Sequence, residues 1–407
     1  MTIEFANLDR VDVETPQGQS GTLQHASGDY LFTCAPDAQP SADISLTMPH
    51  RAAQYVSRDL HPIFQMNLPE GYVLEQLRQR FAKASTLNPM LLLALTGRES
   101  AIGRVSVTTP LVTSERARGE RLHEILAWDG AEDLFAELAD RYLLSSGVSG
   151  VQPKLLVPES IETSTSSARA SLVTSELIVK SGGEDFPGLA VNEYVCMSIA
   201  REAGIAVPEF YLSENRKLFV MRRFDRAADG RALGFEDMAV LMGLSAADKY
   251  SASYERIAKA IRVYCSPEHQ PDALAQLFDQ VVLSCLVGNG DAHLKNFGVV
   301  YGHPQDGSVR LAPAYDIINT TAYIPEDGLA LLLNGSKSLF AARANLQPLA
   351  ERCMIRNPQG RVALLVGAVQ TILARERDLL ETEPHLEPAI RGCLDRFAAK
   401  PRIRMPS

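Results

Sequence analysis

The chain has 407 residues and a mass of 44.5 kDa, more than one hydrophobic core usually organises, so two or three domains are expected. A hydrophobic fraction of 46% with 22% charged residues is ordinary for a globular protein and excludes a disordered, collagen-like or coiled-coil chain. The formal charge of -9 gives no general electrostatic reason to bind nucleic acid or an anionic membrane. The six cysteines (Cys34, Cys196, Cys265, Cys285, Cys353 and Cys393) are scattered, without a C-x-x-C pair or a zinc-site spacing, and buried thiols in a reducing cytosol are the simplest reading. Met1 to Glu14 lacks the basic stretch and apolar run of a secretory signal. Apolar runs such as Met90 to Leu95 and Val281 to Val287 fall far short of the roughly 20 residues of a membrane span, so a cytoplasmic protein with no membrane segment is expected.

From Val11 to Pro49 short apolar stretches, Tyr30 to Cys34 and Ile44 to Met48 among them, alternate with Gly, Pro, Ser and Asp and read as short strands and turns. Val73, Leu74, Leu77 and Phe81 recur at helical spacing in Tyr72 to Phe81, and Pro89 suits the first turn of a helix over Asn88 to Leu95. Val105 to Val107 reads as a strand and the polar run Thr108 to Glu120 as a linker or surface loop. An amphipathic helix over Asp133 to Tyr142 runs into a tight turn, Ser145 to Gly150. Strands are predicted over Lys154 to Val157 and Glu176 to Lys180, with the Ser- and Thr-rich Ser160 to Ser171 between them as a mobile loop. A helix over Asn192 to Ala203 follows, then a hairpin of Glu209 to Leu212 with Lys217 to Phe224. Beyond Glu236 helices dominate (Tyr254 to Tyr264, Pro271 to Val287, Arg361 to Thr382, Leu386 to Ala399), interrupted by a loop-rich stretch from Gly288 to Asp316. Within it, Val299 to Tyr301 and the run near Leu311 are placed to pair as a hairpin that returns Asp316 to Asn296.

The densest chemistry lies in Gly288-Asn289-Gly290-Asp291-Ala292-His293-Leu294-Lys295-Asn296-Phe297. An Asp followed five residues later by an Asn is the spacing of a kinase catalytic loop, where the carboxylate takes the acceptor's hydroxyl proton and the amide oxygen holds magnesium. Asp291 and Asn296 fit, and Asp316 in Pro313-Ala314-Tyr315-Asp316-Ile317 supplies the second oxygen ligand magnesium wants. In isolation such a pair is more often a turn with a cap. Three further features reverse that reading. Lys180 ends the apolar strand Leu177 to Lys180, Glu193 lies near the start of the next helix, and the Gly147 to Gly150 turn can bring backbone N–H groups to phosphate oxygens. No Walker motif occurs. His293 reads as a turn-shaping residue or phosphate contact, Arg222, Arg223, Asp225 and Arg226 as an ion-paired face at a hinge, and Trp128 as packing.

With these residues in place, the sequence resembles the HipA family of serine/threonine kinases, the toxins of type II toxin-antitoxin pairs. Tyr30 to Pro36, Ile44 to Pro49 and Leu92 to Val107 resemble its N-terminal subdomain, and Ser149-Gly150-Val151-Gln152-Pro153-Lys154 its glycine-rich loop. Met221 to Arg226 resembles its hinge strand, Phe235-Glu236-Asp237-Met238 and Lys249-Tyr250 its core, and Gly288 to Phe297 with Tyr315-Asp316-Ile317 its catalytic and metal motifs. The resemblance implies an α+β, protein-kinase-like fold: an N-terminal subdomain over 1–112, a small nucleotide-binding lobe over 113–230 and a helical C-terminal lobe over 231–407. It implies ATP and Mg2+ as cofactors, Asp291 as catalytic base, and Asn296 and Asp316 as metal ligands. Around the nucleotide it places Ser149, Gly150, Val151, Gln152, Lys154, Lys180, Met221, Arg222, Phe224, His293, Leu294 and Lys295. It further implies an aminoacyl-tRNA synthetase as substrate, a HipB-like DNA-binding antitoxin as partner with DNA reached only through that complex, and autophosphorylation of a loop serine. That serine stands in the family at either of two positions; the first is Gly147 here and the second is Ser149, with Ser146 just outside the pattern as second choice. Two rivals are a small-molecule kinase of the aminoglycoside or choline type and a non-catalytic module that binds an antitoxin.

Overall fold

Alternation of apolar and polar residues over Arg10–Thr15 buries Val11, Val13 and Thr15 and starts a five-stranded antiparallel sheet. The structure is a computed structural model and describes residues 8–81, 87–97, 101–111, 119–129, 133–146, 152–165, 168–183, 186–339 and 342–398. They form two units, residues 1–185 with 209–247 and 298–312, and residues 186–208 with 248–297 and 313–407.

In the first unit the sheet order is Tyr55–Ser57, Asp29–Cys34, Gly18–Ala26, Arg10–Thr15, Ser106–Thr108. Register sets Val11 opposite Leu23, Leu23 opposite Phe32 and Val13 opposite Val107, so one face is a continuous apolar surface. Pro89–Thr96 is an interior helix, buried from Met90 onward, and Asn88 caps it by accepting from Leu91 N at 2.8 Å. The strand expected over Ile44 to Met48 is corrected: the stretch is a turn closed by a Ser45–Met48 bridge. Ser45 Oγ and Leu46 N donate to the carboxylate of buried Glu236 at 2.5 and 2.8 Å instead of to a neighbouring strand. The linker expected over Thr108 to Glu120 lies largely outside the described residues.

A second antiparallel sheet has the order Lys154–Thr165, Ala168–Ser181, Leu218–Arg222, Phe210–Leu212. The mobile loop expected over Ser160 to Ser171 is also corrected, because the first two strands run on as a long hairpin, pairing Ser160 with Val173 through Thr165 with Ala168. Polar composition suggests a loop there, but Ile161, Thr163, Thr165 and Val173 are β-branched and favour strand. Side-chain parity gives this sheet two faces. Leu155, Val157, Leu177, Val179, Leu218 and Val220 share one and join Leu138 and Tyr142 of helix Leu134–Tyr142 in a buried core. Lys154, Leu156, Ile178, Lys180, Phe219 and Met221 share the other. A third sheet, Gly234–Asp237, Gly298–Tyr301 and Arg310–Leu311, includes the expected hairpin near Leu311.

Within the Arg222 to Arg226 run, the expected ion pairing takes the form of a buried network of Arg223, Asp225 and Arg226 with Glu176. Arg223 donates from Nη2 to Asp225 Oδ2 and to Ala101 O, each at 2.6 Å, from Nε to Asp225 Oδ1 at 2.9 Å, and from Nη1 to Glu176. Burial pushes the Asp225 carboxyl up, but the charges of Arg223 and Arg226 outweigh it and hold it at about 2.

The second unit is helical around Gln270–Val287, buried along most of its length and packed against Leu189–Glu202, Tyr254–Tyr264, Ala342–Arg352, Pro358–Arg375 and Leu386–Ala398. The single helix expected over Arg361 to Thr382 is two, Pro358–Arg375 and Arg377–Leu380, broken at Glu376. Ala342–Arg352 has no counterpart among the expected elements, since Pro348 inside it is a helix-breaking residue. All six cysteines are free and five are buried. Among the described residues no helix is long and apolar enough to cross a membrane.

Candidate functional site

Gln270–Val287 ends on Gly288, whose φ of 69° is left-handed, and a Cβ there would lie 2.5 Å from Cys393 Sγ and 2.8 Å from Thr321 Oγ1. Backbone and space both require glycine. Gly288→Ala is expected to lower the Tm by about 2–8 °C from the left-handed cost; a calorimetric Tm equal to the wild type would refute this account of the helix end.

The loop that follows is held by side chains from several directions. Asn289 Oδ1 accepts from Asp291 N at 3.0 Å, and Thr320 Oγ1 accepts from Gly290 N at 2.8 Å while its O–H reaches Asp327. Leu294 N donates to Lys249 O at 3.1 Å, Tyr254 O–H to Ala292 O at 3.2 Å, and Tyr315 O–H to Lys295 O at 2.5 Å. Asn319 donates through Nδ2 to Val287 O and pairs with Asn192, its N reaching Asn192 Oδ1 at 2.7 Å and its O accepting from Asn192 Nδ2 at 2.8 Å.

Asn296 and Asp316 meet: Asn296 Nδ2 donates to Asp316 Oδ2 at 2.9 Å, while Asn296 Oδ1 accepts from His293 N at 3.0 Å. Asp316 has a φ of 59°, a conformation that Asp tolerates better than most side chains. Asp291 keeps 44% of its side-chain surface exposed, and its Oδ1 accepts from Tyr250 O–H at 2.6 Å. His293 Nε2 lies 3.8 Å from the same oxygen. Burial, reinforced by the charge of Lys249, pushes the His293 imidazole down to about 3, so at neutral pH it is an uncharged ring and no ion pair forms. Leu294 is buried in the single turn Leu294–Asn296, which also carries Lys295. Among the described residues no group of three or more His, Cys, Asp or Glu gathers as a metal site. The side-chain oxygens of Asn296 and Asp316 suit a hard cation such as Mg2+, which commonly takes one or two carboxylates and completes its shell with water and phosphate.

In the first unit, Lys180 is 3% exposed on the strand Ala168–Ser181, directly opposite Lys154 and on the face of Met221. Its Nζ lies 5.6 Å from the centre of the Phe219 ring. Gln152 Nε2 is buried and has no hydrogen-bond partner among the described residues. Arg222 points to the other face, where its guanidinium holds Glu159 in a two-pronged pair and lies 2.8 Å from Glu209. Phe224 packs edge-on against Phe235, ring centres 5.5 Å apart. Ser149, Gly150 and Val151 lie outside the described residues, as does Gly147. Ser146 is fully buried, its Oγ donating to Tyr142 O at 2.8 Å and accepting from Leu156 N at 3.0 Å. Sequence reasoning missed the roles of Tyr250, Asn192, Asn319 and Thr320 around the loop. The polar run Asn319-Thr320-Thr321, so soon after Asp316, is the signal that points to two of them.

A family model described as the HipA N-terminal domain matches residues 11–108, and one described as the HipA-like C-terminal domain matches 146–374, over half of the chain. The chain belongs to the HipA family. Among solved structures, HipA of Shewanella oneidensis MR-1, in its complex with HipB and operator DNA, aligns over 95% of this chain and 96% of that one with a TM-score of 0.69 and 17% identity. The chain thus has the HipA fold. The "Putative kinase Y4dM" of Sinorhizobium fredii is 30% identical over 51% of this chain and 52% of its own length. A "Putative kinase" of Haemophilus influenzae is 33% identical over 43% and 53%. The chain spans about half the length of these curated relatives.

Proposed function

We propose that this HipA-family chain is an ATP- and Mg2+-dependent serine/threonine protein kinase, the toxin of a toxin-antitoxin pair, with an aminoacyl-tRNA synthetase as substrate and a HipB-like antitoxin as partner. The observation that carries the reading is the contact of Asn296 with Asp316 at 2.9 Å beside the loop that presents Asp291. Asp291, exposed enough to meet a substrate, would accept the proton of a serine or threonine hydroxyl as the oxygen attacks phosphorus. Asn296 and Asp316 would hold Mg2+, which neutralises phosphate charge when bound. Lys154 and Lys180 stand opposite each other across two strands, on one face of the sheet, and their ammonium groups would contact the ATP phosphates. Met221 shares their face and would line the base. Arg222, its guanidinium held by Glu159, would contribute through its main chain. In this reading 1–112 supports the nucleotide lobe 113–230, and 231–407 carries base and metal ligands.

The test is phosphoproteomics of cells producing the wild type or Asp291→Asn. A serine or threonine on a synthetase should be modified only with the wild type. Label in a small molecule and not in protein would favour the small-molecule kinase, and identical profiles would refute kinase activity.

Autophosphorylation is assigned to Ser149. A buried Ser146 hydroxyl with both of its bonds made to backbone is a poor acceptor, and adding about -1.5 to -2 charges there would break the turn it holds. Peptide analysis of ATP-treated protein should find phosphate on Ser149, and Ser149→Ala should abolish it. Phosphate on Ser146 would overturn the assignment.

A further inference from the structure

Tyr250 is a residue the mechanism above does not use. It is 42% exposed, yet its hydroxyl is 2.6 Å from Asp291 Oδ1. Its surroundings fix it. Its ring packs edge-on against His293 with centres 5.0 Å apart, its carbonyl accepts from Lys337 Nζ at 3.5 Å, and the carbonyl of the preceding Lys249 accepts from Leu294 N at 3.1 Å. Lys249 Nζ lies 5.2 Å from the ring centre. The tyrosine is therefore tied to the loop it bonds.

We propose that Tyr250 is a positioning residue for Asp291: its O–H fixes the carboxylate so that the remaining acceptor sites meet the incoming protein hydroxyl. This rests on the kinase reading. A half-exposed aspartate on a loop has rotamer freedom, and a base that wanders by an ångström can lose about 100-fold in rate. An O–H donating to an ionised carboxylate is short and strong, and a carboxylate offers about four lone-pair sites, so one donor steadies the base without closing it. Burial, and next the bond to Asp291, push the Tyr250 phenol up, which keeps it a donor. Sequence alone cannot show the pairing, because the two residues are 41 positions apart.

Tyr250→Phe deletes the hydroxyl and keeps the ring against His293. Transfer from γ-labelled ATP into a cell-extract protein mixture is measured at saturating ATP, together with the KM for ATP and the Tm. The expected result is a maximal rate lowered about 10- to 100-fold, with KM for ATP within two-fold and Tm within about 2 °C. In an Asp291→Asn background the same change should have no further effect on the residual rate, since Tyr250 acts through that carboxylate. A Tyr250→Phe rate within two-fold of wild type, or an equal loss in both backgrounds, overturns the assignment while leaving the kinase reading standing. Failure of the wild type to transfer phosphate overturns both.

Discussion

Asp291→Asn is expected to lower phosphoryl transfer by about 10²–10⁴-fold at saturating ATP, the usual contribution of a positioned general base. The change removes a charge and no volume. The amide oxygen can still accept from Tyr250, and the side chain is exposed enough that folding does not depend on its ionisation. ATP affinity and Tm should accordingly stay near wild type, because phosphates and metal are assigned to other residues. Labelled transfer, nucleotide titration and thermal melts on one preparation check all three. Transfer within three-fold of wild type would remove Asp291 from the role of base.

Arg223→Met is expected to cost about 3–5 kcal/mol of stability, the usual penalty for taking one partner from a buried ion pair. At about 2–4 °C per kcal/mol this corresponds to a fall in Tm of about 6–20 °C. Arg223 has no exposed side-chain surface, and methionine fills part of its volume but satisfies neither Asp225 nor Glu176 nor the carbonyl of Ala101. Combining it with Asp225→Asn should recover part of the loss by removing the stranded charge. The effect depends on pH in a definite sense. The folded Asp225 carboxyl sits at about 2, below its ordinary 3.8, so its contribution is complete above about pH 5 and is lost as pH falls through 2. Urea melts at pH 7 and pH 3 should therefore show a smaller gap between variant and wild type in acid. A variant as stable as wild type at pH 7 would show that the network contributes nothing net.

What the sequence made legible follows from how far apart the cooperating residues lie. The helix Tyr254–Tyr264 is readable at its ends because Ser253 caps it and the stripe Tyr254, Ile257, Ala258, Ile261 is local. The pairing of Asn296 with Asp316 is legible through the hairpin that returns the chain over twenty residues. By contrast, the bond from Asn192 to Asn319 crosses 127 positions and that from Ser45 to Glu236 crosses 191, so no periodicity carries them. The second of these explains why Ile44 to Met48 turns instead of extending. The Ser- and Thr-rich hairpin reads as a loop for a different reason: low hydrophobicity argues against burial, whereas two paired strands can form from ladder bonds and β-branching.

The way the Asp291 loop is bonded has a consequence for how charge can move through it. Its amides at Asn289, Gly290, Asp291, His293, Leu294 and Asn296 all have acceptors within the protein, so the backbone dipoles around Asp291 are already oriented. Solvent around a free aspartate would have to reorient as a proton arrives; these dipoles cannot turn without breaking a bond. A proton arriving at Asp291 would therefore leave the loop's own dipoles in place, and the reorientation it requires would fall on the water at the exposed side of the carboxylate.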